Sequence, residues 1–161
     1  MRAAIALGSN VGDRAAHLAF AVAQLSRILS SLKTSRWYET EWVGAGPVAH
    51  PRVLNGAATG ETPWSARELL DALLAIERER GRTRAFAGAP RTLDLDLILF
   101  GDQVSNEPGL IVPHPSFRER RFVLEPLAEI ASGMIDPVTH RTVKELLAAL
   151  SSPDTHPPPT V

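Results

Sequence analysis

Residues 91–101 read RTLDLDLILFG. Leucine falls at positions 93, 95, 97 and 99, and that period of two is the signature of a β-strand with one face turned to a core. The opposite face then reads Asp94, Asp96, Ile98, Phe100. Two acids followed by two large apolar groups is an odd lining for a solvent face. The strand must be explained by something that wants two carboxylates side by side.

The rest of the chain builds a sheet around this strand. Ala3 to Leu7 is an apolar run ending at Gly8, a first strand. Asp13 can cap a helix that continues to about Leu29, with Leu18, Val22, Leu25 and Leu29 at helical spacing. Thr34 to Val43, rich in aromatic and β-branched residues, reads as a second strand, and Gly44 to Pro51 as a loop. Val53 to Thr62 reads as a third strand. Ser65-Ala-Arg-Glu68 is a capping box opening a helix with the stripe Leu69, Leu73, Ile76, ending near Gly81. Arg82 to Pro90 has no apolar period and reads as a mobile loop. The order is β-α-β-β-α-β, the ferredoxin-like α+β sandwich: an antiparallel sheet with helices on one face. A C-terminal helical elaboration completes the domain. Phe122 to Ala131 carries the stripe Val123, Leu127, Ile130, and Thr142-Val-Lys-Glu145 is a capping box for a helix through Leu150. We read residues 1–150 as a single domain and the proline-rich 151–161 as a disordered tail.

Bulk composition excludes more than it assigns. A length of 161 residues suits one domain with one sizeable core. The net charge of −1 gives no global pull toward nucleic acid or anionic membrane. The absence of cysteine rules out disulfides and thiolate metal sites, and fits a reducing cytoplasm. The N-terminal MRAAIALGSN lacks the apolar run of a signal peptide, and no segment is long enough to span a bilayer. The expectation is a cytoplasmic protein with no membrane, nucleic-acid or obligate protein partner.

Carboxylates two apart on a strand sit roughly 6.6 Å from each other along it. Leaving both in a partly dry cleft costs on the order of several kcal/mol unless cations compensate. A bare D-x-D more often faces water or pairs with arginine. Here the apolar company of Ile98 and Phe100 argues for a cleft, and Arg82, Arg84, Arg91, Arg120 and Arg121 flank it in sequence. Oxygen ligands without cysteine or clustered histidine favour magnesium over zinc, and arginine binds phosphate bidentately. Acids that hold metal beside converging arginines describe a polyphosphate site. Glu77 reads equally as a surface acid or as an organiser of that site. Gly8-Ser9-Asn10 forms a strand-turn-helix joint without the lysine or spacing of a phosphate-binding P-loop. In VPHP (112–115), two prolines fix the backbone around His114 and so fix where its imidazole points.

Taken in order and spacing, five blocks carry a resemblance: ALGSNVGDR, VLNGA, ERGRTR, APRTLDLDLILFG and VPHPSFRERRFVLEPLAEIA. From about Ala3 to Leu150 the chain resembles the 6-hydroxymethyl-7,8-dihydropterin pyrophosphokinases of folate biosynthesis. The resemblance implies transfer of the pyrophosphoryl group of ATP to the pterin hydroxymethyl oxygen, with release of AMP. It implies that Asp94 and Asp96 bind two magnesium ions and that Arg82 and Arg91 join them in catalysis. Arg82, Arg84, Arg91, Arg120 and His114 would hold ATP, with Leu97 at adenine and the 82–91 loop as a closing lid. Thr40 and Val43 (by main-chain groups), Asn55 and Phe122 would bind the pterin. Some members carry a second aromatic where this chain has Val53, a tryptophan where it has Phe86-Ala-Gly-Ala-Pro90, and a tyrosine where it has Pro115. Gly109 and Ile111 stand in place of polar nucleotide contacts. With those departures, Phe86 or Trp42 is left as a candidate cover for the pterin.

Two other readings share the topology. A palm-type nucleotidyltransferase also sets paired aspartates on a ferredoxin-like sheet, but the VPHP and LGSN blocks are foreign to it. An RRM-like RNA-binding module needs exposed aromatics and a basic face, whereas aspartates on the candidate central strand would repel phosphate without metal.

Overall fold

A computed structural model describes residues 1–41, 52–81 and 92–150. The expectations for Trp42, Val43, Arg82, Arg84, Phe86, Arg91 and the 151–161 tail lie outside the described residues. The elements run β1 (Arg2–Ser9), α1 (Arg14–Ile28), β2 (Ser30–Thr34), β3 (Tyr38–Thr40), β4 (Val53–Glu61), α2 (Ala66–Glu79), β5 (Asp94–Phe100), β6 (Ser105–Glu107), β7 (Leu110–Val112), α3 (Arg121–Ala131) and α4 (Val143–Leu150). The main sheet has the order β2-β4-β1-β5, with β3 also paired to β4, and every pairing is antiparallel. This is the ferredoxin-like arrangement, elaborated by a β6–β7 hairpin that the sequence pattern did not announce.

Local chemistry sets the helix starts. The Asp13 carboxylate accepts the Ala16 N–H at 3.1 Å and caps α1. Ser65 and Glu68 form the full reciprocal capping box of α2. Thr142 and Glu145 do the same for α4, the hydroxyl accepting from Glu145 N–H at 3.1 Å and the carboxylate from Thr142 N–H at 2.9 Å.

The expected second strand, Thr34 to Val43, begins where β2 ends and keeps only β3 among the described residues, while β2 itself lies ahead of it. Ser35 breaks it: its hydroxyl accepts the Ala57 N–H at 2.9 Å, in place of a backbone carbonyl. Trp37 then folds over Gly56, where any Cβ would overlap the indole ring. The pairing with β4 shifts by one residue across this kink, from Thr34↔Ala58 to Tyr38↔Asn55.

The sheet is buried on both faces. Leu18, Ala21 and Leu25 of α1 and Leu69, Leu73 and Ile76 of α2 pack on Ile5, Leu7, Leu93, Leu95 and Leu97. On the other face, Val123, Leu124 and Leu127 of α3 and Val143 and Leu146 of α4 pack on Ala4, Ala57, Ile98 and Leu99. The β-α-β-β-α-β helices thus share one face as expected, and the C-terminal elaboration covers the other.

Strand β5 departs from strict alternation at one point. Ala4 pairs with Leu99 but Ile5 pairs with Leu97, so Ile98 is an extra, bulged residue. The bulge flips the parity of the last two strand residues. Phe100 joins Leu93, Leu95 and Leu97 beneath α1 and α2. Leu99 joins Ile98 beneath α3 and α4, on the face of the two aspartates. The expectation that Phe100 shares a face with Asp94 is corrected accordingly.

Candidate active site

The face beneath α3 is core at one end and cavity at the other. Where α3 begins, its first residues overhang Gly8 of β1, Asn55 of β4 and Asp94 and Asp96 of β5. A cavity of about 380 Å³ lies there, lined also by Ser9, Asn10, Thr40, Val53, Glu119, Arg120, Arg121 and Phe122. The register makes the floor explicit. Gly8 is paired with Asn55 on one side and Asp94 on the other, and Ala6 with Asp96.

A second cavity of about 320 Å³ lies across the outer edge of β5, lined by Leu70, Leu74, Glu77, Leu97, Leu110, Ile111 and His114. Asp94 and Asp96 line it as well, so the two carboxylates stand where the cavities meet. Both are only partly buried, flanked by buried Leu93, Leu95 and Leu97.

Most of the polar side chains that matter here are held in place. The Asn55 amide donates to the Thr40 hydroxyl at 2.6 Å, a buried bond between β4 and β3. Glu77 is 2% exposed, and its carboxylate accepts the Leu95 N–H at 2.6 Å. That N–H lies between the two aspartates on an edge strand, so Glu77 fixes the backbone that carries them. Glu77 is therefore a buried acid bound to the strand backbone rather than a surface acid. His114 donates its main-chain N–H to the Ile98 carbonyl of the bulge at 2.9 Å. Its Nδ1 accepts the Ser116 N–H at 3.2 Å, so the neutral ring carries its proton on Nε2. Burial lowers the His114 pKa, Arg120 lowers it further, and Asp94 only partly opposes them. Burial and Arg120 thus both disfavour the charged form of the ring. The Arg120 guanidinium lies 5.6 Å from the centroid of the Phe122 ring. Arg120 occupies the cap position of α3, so its charge adds to the positive end of that helix. Nearby, Arg118 pairs with fully buried Asp136, whose carboxylate also accepts from Val138 N–H and the Thr139 hydroxyl.

The structure therefore brings together Asp94, Asp96, Thr40, Asn55, Arg120, Phe122, Gly8, Ser9 and Asn10 around one cavity, and Glu77, Leu97 and His114 around its neighbour. Sequence reasoning overlooked Glu41 and Glu119 in the first lining and Leu70 and Leu74 in the second. The leucines had a legible signal, since they sit on the flank of the Leu69–Leu73 stripe. The two glutamates had none.

Chemically, one chamber offers an amide and an aromatic face, the other an apolar slot with a fixed imidazole, and paired carboxylates join them. Comparison with known proteins identifies the family. Residues 4–132 match the family model of 7,8-dihydro-6-hydroxymethylpterin-pyrophosphokinase. The chain is 41% identical over 150 residues to the 2-amino-4-hydroxy-6-hydroxymethyldihydropteridine pyrophosphokinase of Pseudomonas aeruginosa, covering 92% of this chain and 91% of that one. It is 47% identical over 128 residues to the Bacillus subtilis enzyme of the same name, covering 78% and 75%. In fold it is similar to a crystal structure of an HPPK-DHPS protein in complex with substrates, with a TM-score of 0.74 at 11% identity. That match covers 92% of this chain and 43% of the other. The chain belongs to the 7,8-dihydro-6-hydroxymethylpterin-pyrophosphokinase family, and its reaction is transfer of pyrophosphate from ATP to hydroxymethyldihydropterin in folate synthesis.

Proposed function

We propose that the chain joins its two substrates at Asp94 and Asp96, with the pterin in the larger cavity and ATP in the smaller. The observation that carries this reading is that the aspartates line both chambers. Asn55, steadied by Thr40, reads the polar edge of the pterin, and Phe122 stacks on its face. Main-chain groups at Thr40 and Val43 complete the edge. Leu97 packs against adenine. His114 donates from Nε2 to a phosphate oxygen, and Arg120, with Arg82, Arg84 and Arg91, neutralises the triphosphate. The hydroxymethyl oxygen attacks the β-phosphorus and loses its proton to solvent, the bond from that phosphorus to the bridging α,β-oxygen breaks, and AMP departs.

The donor set fits magnesium. Among the described residues no group of three or more histidines, cysteines or acids gathers to enclose an ion. A pair of carboxylates leaves the remaining positions to water and substrate phosphates, which is how magnesium is commonly held. Asp94 and Asp96 would hold two such ions, which when bound polarise phosphate oxygens and offset developing charge. The protein's own part is to place the acceptor oxygen and the β-phosphorus together, worth much of the barrier when the geometry is right. In this reading residues 1–150 are the catalytic unit, and the cysteine-free composition supports a reducing, cytoplasmic setting.

The test is a product assay with ATP, magnesium and 6-hydroxymethyl-7,8-dihydropterin. We expect pterin-dependent AMP without ADP, lost on chelation of magnesium and restored by adding it back. Asp94→Asn and Asp96→Asn should each lower turnover by at least about a hundredfold while both substrates still bind. ADP as product would sink the pyrophosphoryl assignment. Normal turnover in either variant would sink the role given to the aspartates.

A further inference from the structure

Arg14 lines neither cavity, yet it ties together three segments that line the larger one. It opens α1, just past the joint that carries Ser9 and Asn10. Its Nη1 donates to the Arg52 carbonyl at 2.7 Å, and its Nη2 donates to the Glu39 carboxylate at 2.6 Å. Arg52 immediately precedes Val53 at the start of β4, and Glu39 immediately precedes Thr40 in β3. Val53 and Thr40 both belong to the cavity wall.

Strand β3 needs such a tie. Its three residues are at the short end for a strand, and among the described strands it pairs with β4 alone. Its placement matters, because the Thr40 hydroxyl accepts the buried bond from the Asn55 amide. Neighbouring strand residues point to opposite faces, so Glu39 reaches Arg14 while Tyr38 and Thr40 turn to the other side. There the Tyr38 hydroxyl donates to Glu129 of α3 at 2.6 Å. Arg14 and Glu129 thus clasp β3 from its two faces. The planar guanidinium fork holds two acceptors at once, which the point charge of a lysine does not. The Arg14 and Glu39 side chains are 28% and 43% exposed, so the ion pair adds little to global stability. What it fixes is local: the position of Thr40, and with it that of Asn55.

We infer that Arg14 is a positioning residue for the pterin: by holding Glu39 and the Arg52 carbonyl together, it sets Thr40 and Asn55 at the geometry that binds the ring. This rests on the assignment of the larger cavity to the pterin. The pterin carries no net charge and the nucleotide is a polyanion. Loss of the Arg14 charge acting at a distance would therefore weaken the nucleotide first, whereas loss of placement weakens the pterin alone.

The experiment uses the full chain and the variants Arg14→Ala, Arg14→Lys, Glu39→Ala and the Arg14→Ala/Glu39→Ala double, with Asn55→Ala and Phe122→Ala as controls. Each is melted, titrated with a non-hydrolysable ATP analogue, and then titrated with pterin once loaded with that analogue. Arg14→Ala should melt within a few degrees of wild type, lose at least tenfold in pterin affinity, and hold the ATP analogue within twofold. Arg14→Lys should also lose pterin affinity, because it keeps the charge but not the fork. The double variant should bind pterin no worse than Arg14→Ala, since both changes break one network. If Arg14→Ala melts far lower, Arg14→Lys carries the test alone. Wild-type pterin affinity in Arg14→Lys, equal losses for pterin and nucleotide, or additive losses in the double variant would each overturn the positioning role. If Asn55→Ala and Phe122→Ala lose the pterin while the Arg14 variants keep it, only the role of Arg14 falls. If those two controls keep the pterin, the cavity assignment falls and the role of Arg14 falls with it.

Discussion

Asp94 and Asp96 are separated by Leu95, whose side chain is 3% exposed in the core beneath α1 and α2. The leucine is what makes the pair rigid, because burying it fixes the pleat and hence the direction of both neighbours. His114 is set in a similar way: its main chain is tied to Ile98 and its Nδ1 to Ser116. A consequence is a stability that depends on pH with a definite sign. The folded imidazole resists protonation, chiefly through burial and then through Arg120, so its pKa lies below the ordinary 6.5. As pH falls through 6.5 the unfolded chain takes up the proton first, and the linkage relation then lowers stability. The loss is complete once the folded ring is itself protonated. Urea midpoints of wild type and His114→Gln, measured in metal-free buffer from pH 7.5 down, should show this as a difference that shrinks toward acid. A difference constant with pH would refute the depressed imidazole.

At the scale of elements, β5 is an edge strand, and its exposed hydrogen-bonding groups must be met by something other than another strand. Glu77 of α2 meets the Leu95 N–H, and the segment after β7 meets the Ile98 carbonyl through His114. Replacing Glu77 by alanine strands a buried N–H, at a cost of about 1–3 kcal/mol. It also loosens the backbone between the aspartates. Turnover should therefore fall further than pterin affinity does, while Glu77→Gln, which keeps an acceptor, should recover most of the stability. Denaturant unfolding and steady-state rates on both variants check this; equal losses for alanine and glutamine would mean that the charge, not the hydrogen bond, is what matters. The leucine alternation makes β5 legible in sequence, because period two survives in four consecutive odd positions. The bulge at Ile98 is not legible, since an extra residue leaves no mark when the residues on both sides of it are apolar. The break between β2 and β3 is hidden for a related reason. Ser35 reads as an ordinary strand residue until its hydroxyl is seen to replace a carbonyl. The caps of α1, α2 and α4 are local chemistry, and all three are readable as written.

For the molecule as a whole, the decisive feature is that α3 covers only part of a sheet face. The stripe Val123, Leu127, Ile130 tells that α3 has a core side, but a stripe does not say which face of the sheet it will cover. Nor does it say where the helix will stop short. The overhang at Arg120–Phe122 is a product of tertiary packing on Ala4, Ala57 and Leu99, and so is the division of the site into two chambers. That division has a measurable consequence. Phe122 lines only the larger cavity and His114 only the smaller, while the aspartates line both. Phe122→Ala should raise the KM for pterin by about tenfold with little change for ATP, the worth of an aromatic stack. His114→Ala should raise the KM for ATP by a similar or larger factor, about 1.5–3 kcal/mol for a hydrogen bond to a charged group. Because the two residues line different cavities and have only Arg120 as a common neighbour, their effects on the free energy of the transition state should come close to adding in the double variant, any coupling passing through Arg120. Asp94→Asn combined with either one should not add, since it lines both chambers at once. If the Phe122 and His114 effects proved strongly coupled instead, pterin and nucleotide would have to share one chamber, and the meeting point would lie away from the aspartates.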